Sequence, residues 1–162
     1  MINTDQYRNK KITVVGLARS GVACANLLHG LGACVSVTDS GIGEAVRRNA
    51  GLLVSKEIKM ELGAHSRGFI EGADLVVLSP GVAGDSAAVR IAEECAIPLV
   101  SEIEIGFSVC PATIIAVTGS GVKTSVTTLV GRIVAAPGRR AFVCGNIGNP
   151  FCGEVKKIKK DD

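Results

Sequence analysis

At 162 residues the chain is long enough for one ordinary domain, or for one small domain and part of a second. With 47% hydrophobic and 20% charged residues it carries enough apolar surface to offset the entropy of ordering, which excludes a disordered polypeptide. A net charge of +3, one Tyr, four Phe and no Trp supply neither the basic surface nor the stacking platforms of a dedicated nucleic-acid binder, so no nucleic-acid partner is expected.

The opening MINTDQYRNKK has no apolar core, and no signal peptide is expected from it. Residues 11–16 (KITVVG) form a short β-branched run bounded by charge and glycine, the pattern of a strand buried on both faces of a parallel sheet. Over residues 20–31, Val22, Ala23, Leu27, Leu28 and Leu31 recur at helical spacing, with Ser20 placed to cap the start and Gly32 to close the end. Residues 34–38 (CVSVT) then alternate like a strand. This is a βαβ unit, which demands a parallel sheet with a right-handed crossover. The pattern continues with a helix over 44–51, a strand over 73–78 (ADLVVL), a turn at Ser79-Pro80-Gly81, a helix over 86–95 and a short strand over 98–100. A fresh series begins near Pro111: a strand over 113–117 (TIIAV), a glycine-containing turn, a helix over 123–136 that Pro137-Gly138 ends, and a strand over 140–144 (RAFVC). The expected division is therefore 1–110 and 111–162. The second part would have open sheet edges and an uncovered apolar helix, and hence weak protection or a tendency to aggregate.

Two uncharged runs, residues 20–38 and 105–122, approach the length of a membrane span, but glycines and Pro111 interrupt them, so each reads as a helix and a strand joined by a turn, and no membrane partner is expected. The six cysteines form no CxxC pair and have only His29 and His65 for company. They read as small hydrophobes in a reducing cytoplasm, and the histidines as helix-end and loop residues.

Two loops carry potential chemistry. Gly16-Leu17-Ala18-Arg19-Ser20-Gly21 lies between the first strand and its helix and approaches the GxGxxG dinucleotide fingerprint, with alanine at the second glycine, where backbone must approach a pyrophosphate. Asp39 follows 23 residues after Gly16, where an acidic group commonly meets a ribose or base. Nucleotide binding and tight helix–sheet packing both account for this loop. The second, Thr118-Gly119-Ser120-Gly121-Val122-Lys123-Thr124, has the order of a phosphate loop: backbone N–H groups for phosphates, a lysine for the terminal phosphate, a hydroxyl for magnesium. Val122 stands where glycine is expected and adds a β-branched side chain beside the phosphates.

Together these residues resemble the Mur ligases of peptidoglycan synthesis, in particular the branch that adds D-glutamate. The likeness runs through GLARSG with Asp39, the Ser79-Pro80-Gly81-Val82 turn, IPLVSEIEI at 97–105, TGSGVKTSVTTLVG at 118–131 and GNIGNP at 145–150. The resemblance implies an α/β protein: a Rossmann-like parallel-sheet N-terminal domain that binds the UDP part of UDP-N-acetylmuramoyl-L-alanine, followed by the incomplete start of a P-loop ATP-binding α/β domain. Leu17, Ala18, Arg19, Ser20, Asp39, Ser40, Ser79, Pro80 and Gly81 would lie at the substrate. Gly119, Ser120, Gly121, Val122, Lys123, Thr124 and Ser125 would hold ATP, with Thr124 on Mg2+ and with Lys123 and Asn146 in the reaction region. The implied reaction is ATP-dependent: the L-alanyl carboxylate is phosphorylated, and the D-glutamate amine attacks the acyl phosphate. A monomeric cytoplasmic enzyme is implied as well.

The family's later magnesium-binding glutamate, its histidine and modified lysine, and its third domain would all lie beyond Asp162, and KKIKKDD resembles the segment before the next central strand. Departures from the pattern fall at Ala18, Gly121, Val122 and Cys144, beside phosphates, as in a truncated or decaying gene product. Three readings follow: the N-terminal part of a D-glutamate-adding ligase, inactive alone; a UDP-sugar-binding module without catalysis; or an unrelated dehydrogenase or P-loop kinase, weakened by Ala18 and Val122 respectively.

Overall fold

The structure is a computed structural model that describes residues 4–136 and 138–162. Its centre is a parallel sheet of β1 (Lys11–Val15), β2 (Cys34–Asp39), β3 (Lys59–Leu62), β4 (Leu75–Leu78) and β5 (Leu99–Ser101), in the order β3-β2-β1-β4-β5. The helices are α1 (Arg19–Gly30), α2 (Glu44–Ala50), α3 (Arg67–Ile70), α4 (Ala87–Glu94), α5 (Glu102–Val109), α6 (Lys123–Ala135) and α7 (Phe151–Glu154). The expected Rossmann-like first part is what the chain forms.

β1 sits at the middle because both of its faces are apolar. Ile12 and Val14 join Leu27, Leu28, Val35 and Ile105 in one core layer, while Val15 joins Ile70, Val76, Ala88 and Ala92 in the other. Each fully buried aliphatic side chain of this kind stabilises the fold by about 1.5–3 kcal/mol. α1 begins one residue before the expected cap: Ala18 is the N-cap, with no side-chain hydrogen bond to the helix, and Ser20 lies inside the first turn. At the other end Gly32, at φ +84°, donates its N–H to the His29 carbonyl and turns the chain toward β2. The 20–38 run thus divides into α1 and β2, and no helix among the described residues is long and apolar enough to cross a membrane.

β3 and α3 carry no apolar run that announces them. β3 (KMEL) is an edge strand whose side chains face largely outward, so its pairing with β2, from Ser36↔Lys59 to Asp39↔Leu62, rests on backbone bonds. Lys59 and Glu61 protect that edge from further pairing.

Beyond α5 the structure departs from expectation. Residues 113–117 and 140–144 do not become strands: they join no ladder, Ile115 is 60% exposed, and the pairing in this region is one isolated bridge, Cys144↔Asn149. Apolar β-branched sequence becomes a strand only when a neighbour takes its N–H and C=O groups along its length, and beyond the Cys144 bridge neither segment meets one. α6 forms as expected and leaves Val126, Leu129 and Ile133 exposed; the Pro137 stop lies outside the described residues. Nor does the core end near residue 110. Phe151, Cys152 and Val155 pack into the layer with α1 and α5, so residues 151–155 are covered, whereas α6 keeps the uncovered apolar face that was expected.

α5 has the clearest local signature. The Ser101 hydroxyl accepts the Glu104 N–H, and the Glu104 carboxylate accepts the Ser101 N–H at 2.6 Å, a reciprocal capping box. These bonds, the backbone one foremost, hold the Glu104 carboxyl below its ordinary value of 4.5. A depressed folded-state value means that this stabilisation is complete above the unfolded glutamate pKa and is lost as pH falls through the lower folded value. The denaturation midpoint of a Glu104→Gln variant should therefore lie below that of the parent at pH 7 and converge on it toward pH 3.

Candidate functional site

The strand order reverses between β1 and β4, so the loops leaving their C-terminal ends diverge and leave a crevice, the position where open α/β sheets take ligands. A cleft of about 280 Å³ lies there. Ala18, Arg19 and Ser20 form one wall, Ser79, Pro80 and Gly81 a second, and Gly145, Asn146, Gly148 and Pro150 the third. Three of the five motifs read from sequence therefore meet in one place, although consecutive walls lie 59 positions or more apart in the chain.

The first wall is built by close backbone packing. Gly16 takes φ +90°, and a Cβ there would meet Val82 at 2.9 Å. A Cβ on Gly21 would lie 1.8 Å from the Gly16 carbonyl oxygen. The first and third glycines of the fingerprint thus do their packing work, while Ala18 at the second faces the cleft. The Ser79 hydroxyl donates to the Gly16 carbonyl at 3.0 Å and joins the first two walls. α1 opens without a side-chain cap and without an acidic residue in its first turn, so its leading N–H groups are free to meet an anion.

Asp39 serves the same loop from behind. Its carboxylate accepts the Leu17 N–H at 2.5 Å and the Gly41 N–H at 2.7 Å, and Asn49 donates to the Leu17 carbonyl at 2.9 Å. Leu17 is therefore not a ligand-facing residue: its side chain is buried in the core and its N–H is committed to Asp39. Asp39 and the exposed Ser40 stand outside the residues that line the cleft.

The third wall is tied down by side chains. Arg19 donates to the Gly148 carbonyl at 3.1 Å and reaches Asn149 Oδ1 at 3.5 Å. Asn149 donates to Glu154 at 2.7 Å, and Gly145 N–H donates to the Asn149 carbonyl at 2.9 Å. The Lys157 hydrogen bond, aided by Asn149, holds the Glu154 carboxyl below its ordinary value against the opposing effect of burial. Burial pushes the Cys144 thiol up to about 11. A residue that sequence reasoning missed lies behind this wall: Glu102, 2% exposed, accepts the Cys152 N–H at 2.8 Å. Its signal was its spacing, since 102, 105, 106 and 109 share the buried face of α5.

The expected ATP and magnesium site at Gly119, Ser120, Gly121, Val122, Lys123, Thr124 and Ser125 is not assembled. The strand that should present the loop is missing, and Val122 is held at φ 50° and ψ 8°, a left-handed conformation costly for a β-branched residue. The Lys123 ammonium donates to the Gly119 carbonyl at 2.6 Å, and Thr124 is exposed. Among the described residues no group of three or more His, Cys, Asp or Glu is placed to hold a metal ion, so Thr124 has no carboxylate set to share one with.

Fold and crevice define the class: a Rossmann-like domain with an uncapped β1–α1 helix start at its topological switch point. Residues 10–101, more than half of the chain, match the sequence model of the family described as Mur ligase MurD-like, N-terminal domain. The chain belongs to that family. It is 46% identical over 143 residues to a UDP-N-acetylmuramoylalanine–D-glutamate ligase of Geotalea uraniireducens (strain Rf4), covering 88% of this chain and 32% of that protein. It is 37% identical over 157 residues to the enzyme of the same name from Thermoanaerobacter sp. (strain X514), covering 97% and 35%. The chain thus spans about a third of the length of the curated relatives it matches. A solved pseudomurein peptide ligase type C from Methanothermus fervidus shares the fold over 80% of this chain and 27% of its own, with a TM-score of 0.52 and 23% identity.

Proposed function

We propose that this chain is the UDP-substrate-binding part of a D-glutamate-adding ligase and that it binds UDP-N-acetylmuramoyl-L-alanine in the crevice between β1 and β4. The observation that carries the reading is the meeting of the GLARSG loop, the Ser79-Pro80-Gly81 turn and the GNIGNP loop around one cleft above an uncapped helix. In this reading the diphosphate takes the N–H groups at Arg19, Ser20 and Gly21 and the Arg19 guanidinium, and Asp39 acts by holding the loop that presents them. Ser79 holds Gly16 in place, and Asn146 faces the sugar-peptide end. ATP-dependent amide formation with D-glutamate belongs to the whole ligase, whose ATP and magnesium site takes residues 119–125 together with residues beyond those described here. The chain alone binds and does not catalyse.

Calorimetry separates these statements. UDP-N-acetylmuramoyl-L-alanine should bind one per chain, and Mg-ATP should give no saturable heat. Binding of Mg-ATP without the UDP-sugar would overturn the assignment of the crevice, and D-glutamate-dependent phosphate release by this chain would overturn the view that it binds without catalysing.

A further inference from the structure

We propose that Glu102 is a positioning residue whose buried carboxylate docks α7 and thereby holds the Gly145–Pro150 wall over the crevice. Three observations converge on it. Glu102 is the first residue of α5 and is 2% exposed, yet none of the ion pairs among the described residues includes it. A buried carboxylate survives only where hydrogen-bond donors replace its water, and its partner is the Cys152 N–H at 2.8 Å, one of the α7 amides that no helical carbonyl accepts. The same pair is bonded a second time, because the Cys152 thiol donates to the Glu102 carbonyl at 3.3 Å. Its hydrogen bond with Cys24 and its burial push that thiol up, so it stays a protonated donor.

The packing around the pair depends on the same register. Phe151 lies so close on α5 that a Cβ at Gly106 would meet its ring at 2.6 Å, and Gly153 faces Ala23 of α1. From α7 the hold passes to the crevice through Asn149, which bonds Glu154 by its side chain and Gly145 by its carbonyl. Arg19 grips the far side of the loop at Gly148. Glu102 and Arg19 therefore clamp the wall from its two sides. Without the Glu102 carboxylate the Cys152 amide is left buried and unpaired, and α7 is held by its apolar packing and the Cys152 thiol bond, so the wall on that side loosens while Arg19 still grips the other.

The consequence for ligand binding rests on reading the crevice as the UDP-substrate site, whereas the docking itself does not. The full chain is tested as the parent, Glu102→Ala and Glu102→Gln, by residue-resolved hydrogen exchange and by calorimetry with UDP. Glu102→Ala should lose about tenfold in protection at the Gly145 and Cys152 amides while β1 and β4 amides are unchanged, and should lose about fivefold in UDP affinity. Glu102→Gln, whose amide oxygen still accepts the Cys152 N–H, should restore most of both. Gly106→Val displaces Phe151 without touching Glu102 and should reproduce the exchange pattern, which keeps the test open if the alanine variant does not fold. Unchanged protection at Gly145 and Cys152 in Glu102→Ala would overturn the proposal, as would a glutamine variant no better than alanine. A parent chain that does not bind UDP would remove the functional reading and leave the exchange comparison to decide the docking.

Discussion

A Gly21→Ala variant is expected to lose about 3 kcal/mol of stability and at least about tenfold in affinity for a UDP ligand, since Gly21 has the tightest surroundings of the glycines in this chain. The added carbon would sit 1.8 Å from the Gly16 carbonyl oxygen, 2.8 Å from Ser79 Oγ and 3.0 Å from the Gly16 carbonyl carbon. None of these atoms is free to yield. The Gly16 N–H is bonded to the Thr38 carbonyl at 2.8 Å, its own carbonyl accepts from Ser79, and Ser79 N–H is bonded to the Val15 carbonyl at 3.0 Å. Relief requires moving α1 away from β1, which opens the first wall of the crevice and withdraws the helix N–H groups from any anion. Urea denaturation and calorimetry with UDP measure the two losses. Gly84→Ala, where a Cβ meets nothing within 4 Å, is the control and should stay within about 0.5 kcal/mol of the parent. Equal midpoints for the two variants would show that the β1–α1 approach is looser than described.

The second large effect has the opposite sign. Val122→Gly should stabilise α6 by about 1 kcal/mol, because a β-branched residue at φ 50° costs about 1–2 kcal/mol that glycine does not, less the greater unfolded-state freedom of glycine. The valine side chain is 76% exposed, so its removal forfeits almost no packing. The Val122 carbonyl, which accepts the Val126 N–H at 3.1 Å, remains in place to start the helix. Hydrogen exchange should show about fivefold more protection at the amides of 126–130. No affinity for Mg-ATP should appear in the same variant, because residues 113–117 still lack sheet neighbours and Lys123 still bonds Gly119. Saturable Mg-ATP binding by Val122→Gly would mean that the loop conformation, and not the missing strand, was the limiting defect.

These two variants sit in the two loops that stood out in the sequence, and the outcome differed between them for a physical reason. At GLARSG the strand before the loop has neighbours on both sides, β2 and β4, so its β-branched run becomes a strand and the glycines meet the contacts that require them. At TGSGVKT the preceding run is equally apolar, but a strand is a property of a pair, and the pairing partners are not there. The departures from the family pattern were visible at Ala18 and Val122. Only the tertiary structure distinguishes them: Ala18 is an uncapped helix start facing a cleft, whereas Val122 is a strained backbone.

Periodicity and turn residues by themselves determined the βαβ order, the parallel sheet, the identity of the core strands β1, β2 and β4, and the two turns at GLARSG and Ser79-Pro80-Gly81, because each shows in the pattern of neighbouring residues; the GNIGNP segment was marked only by the family resemblance. The tertiary structure decided what depends on distant partners. It paired the apolar-poor edge strand β3, withheld a ladder from 113–117 and 140–144, set Asp39 as a brace behind Leu17, and drew Phe151 and Cys152 into the first core beside a buried Glu102. The sheet and its two core layers are built from residues up to Val109, with α7 docked onto them across the division that the motif order suggested. Hydrogen bonds and burial are settled by what each group meets in space, and chain order alone does not state that.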